Sequence, residues 1–473
     1  MDNWEEMWKN KYIPSEPVER YFEEWRERFW LFDEKFPFYQ SNSVNGKTKP
    51  VSTAKMIGTL FESNHKKRLF SERKDEGRNL SYSEAARWLL HLNCFDDIAA
   101  KAPTPKRPWV GHLGLIALKG ENLFEMLMLN FLADCDVDND VYDEYPSWEQ
   151  NNFQIKFNDL INVPKDQAAL LSLISRRILL CRDSENIENV NGYYISGGNY
   201  FEDTEVFQEK MTLWSAYQEK KNSPFKFKPK RHNSEKKLWQ EFGSITGANE
   251  KDSEKTKAPG VVQWLRKLYD AKILNRSYMA QLSTVAVIYD YGQLMTLPVI
   301  DTISDSLTFH AQLLGDLEKS WRERIQMEIE KCDKASYYVI KLYKDLQFAS
   351  GRQDKDSKTS QSGEIDAKMR FYDEIDRPFR LWLEGLKPDE NDNLNPDEYL
   401  AIIEKELKTI ALRLGDSFVP QVGNNTIFGR AAKKDDNKNN KEKNKQSFES
   451  SAQALNFYRA MIRKIFDKAG EQI

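Results

Sequence analysis

The chain has 473 residues, more than one hydrophobic core ordinarily serves, so two or three domains are expected. A hydrophobic content of 40% with twelve tryptophans excludes extended disorder, and a net charge of -4 from 70 basic and 74 acidic side chains confines any nucleic-acid binding to local patches. No apolar run approaches the ~20 residues of a membrane span, the opening MDNWEEMWKN is not signal-like, and Cys94, Cys135, Cys181 and Cys332 stand too far apart for a zinc ribbon, which predicts a cytoplasmic protein with reduced thiols, without membrane or metal.

The segment up to Phe36 reads as helical, with Val18, Phe22, Trp25 and Phe29 forming an apolar stripe, before FPFYQ breaks it. Residues 41–50 are a polar, turn-rich connector, and a second polar, basic stretch runs from Asn64 to Arg78. Ser81 to Glu84 has the spacing of a capping box, and the helix it starts carries Ala85, Trp88, Leu89 and Leu92 on one side. Residues 101–130 organise the first half: Pro103, Pro105 and Pro108, with Lys101, Lys106 and Arg107, make a stiff basic loop suited to an anionic partner. A short apolar run, Leu113 to Leu118, follows it. Lys119-Gly120 then turns the chain into a helix whose apolar Leu123, Leu127 and Phe131 are four apart.

The acidic loop from Asp134 lacks the turn glycine of a calcium site, so it reads as a solvated loop. From Pro146 to Thr204 strand-like pieces mix with a helix over Gln167 to Leu180, then turns at Asn191-Gly192 and Ser196 to Asn199; these glycines lack the lysine and hydroxyl of a phosphate loop. In the basic segment 220–237, Phe225 and Phe227 alternate with Lys226, Lys228 and Lys230, which on an extended strand separates aromatics from lysines. Such a ribbon is either an edge strand kept soluble by lysine or a surface laid against phosphate. VVQWLRKLYD is a short amphipathic helix, and the apolar run after it is broken at Asp290, Tyr291, Gly292 and Gln293, where glycine permits a tight bend.

From Phe309 onward the pattern is helical. Trp321, Ile325, Ile329 and Cys332 mark one helix, Phe371, Ile375, Phe379 and Trp382 a second, Tyr399 to Leu414 a third started by Asn395-Pro396, and Leu455, Tyr458, Ile462 and Ile465 a fourth, which suggests a bundle. Residues 351–363 and 430–447 are polar, lysine-rich loops. His65, His91, His112, His232 and His310 fall in no metal or catalytic motif, and no nucleophile elbow, Walker or kinase signature occurs, so no enzyme is predicted.

In their order and spacing, RFWLFDEKFPFYQ (28–40), LSYSEAARWLLHLNCFD (80–96), WVGHLGLIALKGENLFEMLMLNFL (109–132), the tryptophan-containing helix before Leu268 and the C-terminal helices resemble the large subunit of the type I-E CRISPR surveillance complex Cascade, the CasA family, over nearly the whole chain. The resemblance implies an α+β protein, with a mixed α/β N-terminal domain over 1–308 and a C-terminal four-helix bundle over 309–473. It implies a subunit with no catalytic activity and no cofactor, recognising the protospacer-adjacent motif of double-stranded target DNA from the minor groove. Its partners would be that DNA and its displaced strand, the other Cascade subunits with CRISPR RNA, and a nuclease-helicase.

Carried onto this sequence, the family's glycine loop falls on Trp109 to Gly114, with Gly111 as the close-approach position and His112 as a side chain able to replace backbone contact. The lysine finger falls on Lys228 or Lys230, and the glutamine wedge on Tyr291, Gly292 and Gln293; Lys106 and Arg107 of the basic loop complete the expected DNA-contacting set. The family carries a further N-terminal segment, including an early strand, ahead of the helix that starts here at Trp4. A protein-binding helical scaffold without DNA recognition is the competing expectation, and a hydrolase whose carboxylates meet only in space is a third.

Overall fold

The computed structural model describes residues 2–45, 49–57, 79–95, 109–132, 145–150, 160–201, 209–221, 223–247, 257–289, 299–315, 319–352, 361–388, 396–431 and 448–467. Helices and strands are mixed, and the chain forms two compact units. The first comprises Met1–Lys236, Ser244–Asn275 and Ala280–Ser306; the second comprises Lys237–Gly243, Arg276–Met279 and Leu307–Ile473.

The first unit opens with α1 (Asp2–Asn10) and α2 (Ser15–Glu24) rather than the single helix expected up to Phe36. Lys11 takes a positive φ of 50°, and Pro14, which has no amide proton, stands at the start of α2. The expected apolar stripe also fails: α2 buries no residue, and Val18 and Phe22 are exposed. The segment is held instead by Tyr21, whose hydroxyl donates to Glu149 and accepts from the Trp148 indole, and by Phe29 against Phe38 and Trp148.

The main sheet is built on β5 (Asn189–Gly197). β4 (Arg176–Arg182) runs antiparallel along one edge, while β1 (Val51–Ser52) and β2 (Leu80–Ser81) share the other. Behind it lies α3 (Tyr82–Cys94), started by the expected capping box of Ser81 and Glu84, with Ala85, Leu89 and Leu92 packed on Leu80, Ile178, Val190 and Tyr193. Two local expectations are corrected here. The helix from Gln167 stops as α5 (Gln167–Leu171), because the apolar residues beyond it, Ile178 and Leu180, face the core with the two-residue period of β4. Asn191-Gly192 lies inside β5, paired to Cys181 and Ser52; the turn falls earlier, where the Asp183 and Asn186 side chains accept the amides of Glu185 and Glu188.

β3 (Ala117–Leu118) leads into α4 (Leu123–Asn130), capped by Asn122. This helix buries Met128 and Leu129 and leaves Leu123, Leu127 and Phe131 exposed, the reverse of the expected face. The rotation is set by polar bonds that periodicity does not register. The Asn130 amide clamps both the N–H and the carbonyl of Leu118, and the buried Trp4 indole donates to the Met128 carbonyl at 3.0 Å. The unit is completed by the ribbon of β6 (Leu213–Tyr217) and β7 (Lys226–Lys230), by α7 (Gly260–Asp270), and by the larger parts of α6 (Phe242–Thr246), β8 (Met279–Tyr289) and β9 (Val299–His310), whose residues 242–243, 279 and 307–310 fall in the second unit; β3, β8 and β9 form one sheet.

In the second unit α8 (Lys319–Ala349), α9 (Gln361–Gly385), α10 (Pro396–Phe418) and α11 (Ser451–Phe466) pack together, α8 and α10 each against the other three, beside the short pair β10 (Arg430–Ala431) and β11 (Phe448–Glu449). Ile325, Ile329, Phe371, Ile375, Phe379, Ile403, Leu407, Tyr458 and Ile462 form the interior, as their spacing predicts, and Val339 joins them. The early segment Lys237–Gly243 belongs to this interior too. The buried Trp239 ring stacks on Phe379 at 4.1 Å and its indole donates to Asp376 at 2.8 Å, while Phe242 packs edge-on against Phe309. No helix among the described residues is long and apolar enough to cross a membrane.

Candidate nucleic-acid interface

The loop after the basic prolines is fixed from inside. Trp109 is only 6% exposed and packs on Phe201, with Val163, Leu170 and Trp214 in the same cluster. The ring expected to face DNA is therefore a core anchor, since its large apolar surface is satisfied by the protein itself. A 3-10 turn over Val110–His112 follows, closed by the Leu113 amide on the Val110 carbonyl. A Cβ on Gly111 would stand 2.7 Å from the Phe95 carbonyl oxygen, and one on Gly114 only 1.9 Å from that of Lys230, so both glycines are required by packing. The Gly114 carbonyl accepts from Leu213, and Leu115 bridges Thr212, which ties the loop to β6.

The lysine ribbon has the alternation read from its sequence. Phe227 packs inward against the Trp109 cluster, while Lys226 and Lys228 are exposed. Lys226 pairs with Glu219 at 2.7 Å, Lys228 Nζ lies 5.6 Å from the Tyr217 ring centroid, and Lys230 Nζ is 3.5 Å from Ser244 Oγ. Beyond the strand, His232 Nε2 lies 2.8 Å from the Leu115 carbonyl and 2.7 Å from Thr284 Oγ1 of β8. Gly111, Leu113, Leu115, Arg231, His232 and Val285 to Ile288 line a cavity of about 90 Å³.

Three sequence-predicted regions thus converge: the loop at Gly111 to Leu115, the lysine strand, and the base of the β8–β9 hairpin. Tyr291, Gly292 and Gln293, which follow β8 in the sequence, lie outside the described residues, as do Lys106, Arg107, the acidic loop from Asp134 and the lysine-rich 432–447; for His112 only the backbone is described. Sequence reasoning missed His232 and Thr284, which carry no motif. It also missed Lys257, whose ammonium sits 4.5 Å from the Trp214 ring centroid and is pushed down to about 8 by burial and the nearby Lys210 charge. Among the described residues no group of three His, Cys, Asp or Glu side chains could hold a metal ion.

The fold is similar to that of Cse1 from Thermobifida fusca (TM-score 0.78, 22% identity, covering 99% of this chain and 87% of that one). It is also similar to CRISPR-associated protein Cse1 from Acidimicrobium ferrooxidans (0.74, 16%, 99% and 86%) and to a chain of a CRISPR RNA-guided surveillance complex (0.60, 14%, 89% and 84%). No curated protein matches. The model of the family CRISPR-associated protein Cse1 matches residues 1–414. The chain therefore belongs to the CRISPR-associated Cse1 family, the family of Cascade large subunits that its sequence resembles.

Proposed function

We propose that this chain is the non-catalytic DNA-recognition subunit of a type I-E CRISPR RNA-guided complex, working with the other Cascade subunits and CRISPR RNA in the cytoplasm. It reads the protospacer-adjacent motif of double-stranded target DNA from the minor groove, promotes opening and displacement of one strand, and recruits a nuclease-helicase. Residues 1–308 act as the DNA-contacting domain and 309–473 as a four-helix bundle, with the early segments 237–243 and 276–279 contributing to the second unit.

The observation that carries this reading is the convergence of loop, lysine strand and hairpin base, joined where Gly114 meets the Lys230 backbone. Lys228 and Lys230, with Lys106 and Arg107, anchor phosphates, which positions the duplex without reading it. Gly111 and His112 approach the groove, where the degenerate acceptor pattern lets several motif sequences be accepted. The Tyr291, Gly292 and Gln293 turn supplies the wedge, offsetting the few kcal/mol that unstacking costs per base step. Pairing with the guide then reads the target.

The test is duplex binding by the assembled complex over a salt series. The reading expects tight binding only with the motif, weakening steeply with salt. Equal affinity with and without the motif would overturn it.

A further inference from the structure

We infer that His232 is a positioning residue that locks the groove-facing loop to the hairpin, so that the two act on DNA as one rigid unit; this rests on the DNA-recognition reading above. Nε2 of His232 is 2.8 Å from the Leu115 carbonyl and 2.7 Å from Thr284 Oγ1, and the Thr284 hydroxyl donates to the same carbonyl at 2.8 Å. A carbonyl oxygen has no proton to give, so Nε2 carries one and Nδ1 does not need to. The single Nε2 proton is then shared between the Leu115 carbonyl and the Thr284 oxygen, while the hydroxyl proton goes to Leu115, so two donors hold the three contacts together.

Each corner belongs to a different part of the interface. Leu115 directly follows the glycine loop, Thr284 lies on β8, and His232 stands two residues past Lys230, the end of the lysine strand. Thr284 is 3% exposed, so water does not compete freely for these bonds, which strengthens them. β3 beyond Leu115 pairs with β8 for only two residues, Ala117 on Ser283 and Leu118 on Leu282. So short a ladder resists slippage weakly, and the imidazole supplies the missing restraint. A wedge can part base pairs only if its base does not yield when it is pressed, and the loop is the part that holds the duplex on the other side.

The experiment uses the full chain in the assembled complex, with His232→Ala and His232→Gln, the glutamine amide being able to place an N–H where Nε2–H stands. Two readouts are taken: opening of a closed motif-bearing duplex against engagement of a pre-opened one, and hydrogen exchange at the Lys119 amide, which donates to the Gln281 carbonyl across the β3–β8 pair. Loss of this bond network is expected to slow opening of the closed duplex about tenfold in His232→Ala, the factor that one net buried hydrogen bond commands. Pre-opened DNA should be engaged as before, Lys119 should exchange faster, and His232→Gln should recover most of both. Unchanged opening in His232→Ala, equal loss on both substrates, or no recovery with glutamine would each overturn the inference. If the unaltered complex shows no motif dependence, the DNA-recognition reading fails instead, and the exchange rate alone decides whether His232 pins the strands: faster exchange supports it and unchanged exchange refutes it.

Discussion

At the scale of single residues, the interface separates groups that hold from groups that contact. Trp109, Gly111 and Gly114 are fixed by Phe201, the Phe95 carbonyl and the Lys230 carbonyl, whereas Lys226 and Lys228 stand in solvent. If Lys228 and Lys230 each neutralise a phosphate, the double change Lys228→Ala with Lys230→Ala should reduce the slope of log affinity against log salt by about two and weaken all duplexes alike. An unaltered slope would leave the ribbon as a soluble edge strand only. The lysine alternation was legible because a strand's two-residue period is local. The inward turn of Trp109 was not, because its partner Phe201 lies far along the chain and no local pattern announces it. His232 was invisible for the same reason: its two oxygen partners come from distant segments.

At the scale of elements, periodicity located the long helices of the second unit and the faces they bury, where many turns average out single exceptions. It misassigned short elements. α4 was turned over by two side-chain clamps, and the segment past Leu171 became a strand because β5 was there to pair with it.

The α8–α10 contact carries a pH dependence of its own. Lys331 bonds the buried carboxylates Glu328 and Glu404, and burial pushes the Glu328 carboxyl up to about 7 against the pull of that lysine. The folded state therefore keeps a proton that the unfolded chain releases near the ordinary carboxyl value of 4.5. The stability from this group is complete below that value and is lost as pH rises through about 7. Denaturant unfolding at pH 5 and pH 8 should show the decline, on the order of 2–3 kcal/mol at most. Glu328→Gln should flatten it; a parallel decline in the variant would place its origin elsewhere.

At the scale of the whole molecule, the last segment of the second unit begins at Leu307, and the chain also enters this unit earlier, at Lys237–Gly243, which no pattern in the linear sequence announces. Residues 238–243 follow directly on the basic segment, and no local pattern announces that Trp239 stacks on Phe379. A fragment starting at Leu307 would leave the Phe379 ring and the Asp376 carboxylate without the tryptophan that meets them. Its melting should be broad or occur far below that of the full chain, since burying a large aromatic is worth ~3–5 kcal/mol. Trp239→Ala in the full chain should lower stability by a similar amount, read from its denaturant midpoint. A sharp, native-like transition in the fragment would show that the early segment is dispensable.

The same stacking sets an order of events during synthesis. Trp239 and Asp376 are 137 residues apart, so at roughly 5–20 residues per second a ribosome needs on the order of ten seconds or more to deliver the partner. For that interval one of the largest apolar side chains in the protein has no home. Trp239 gains its stacking and its hydrogen bond only once residues 376–379 have been made, so this part of the second unit closes late in synthesis.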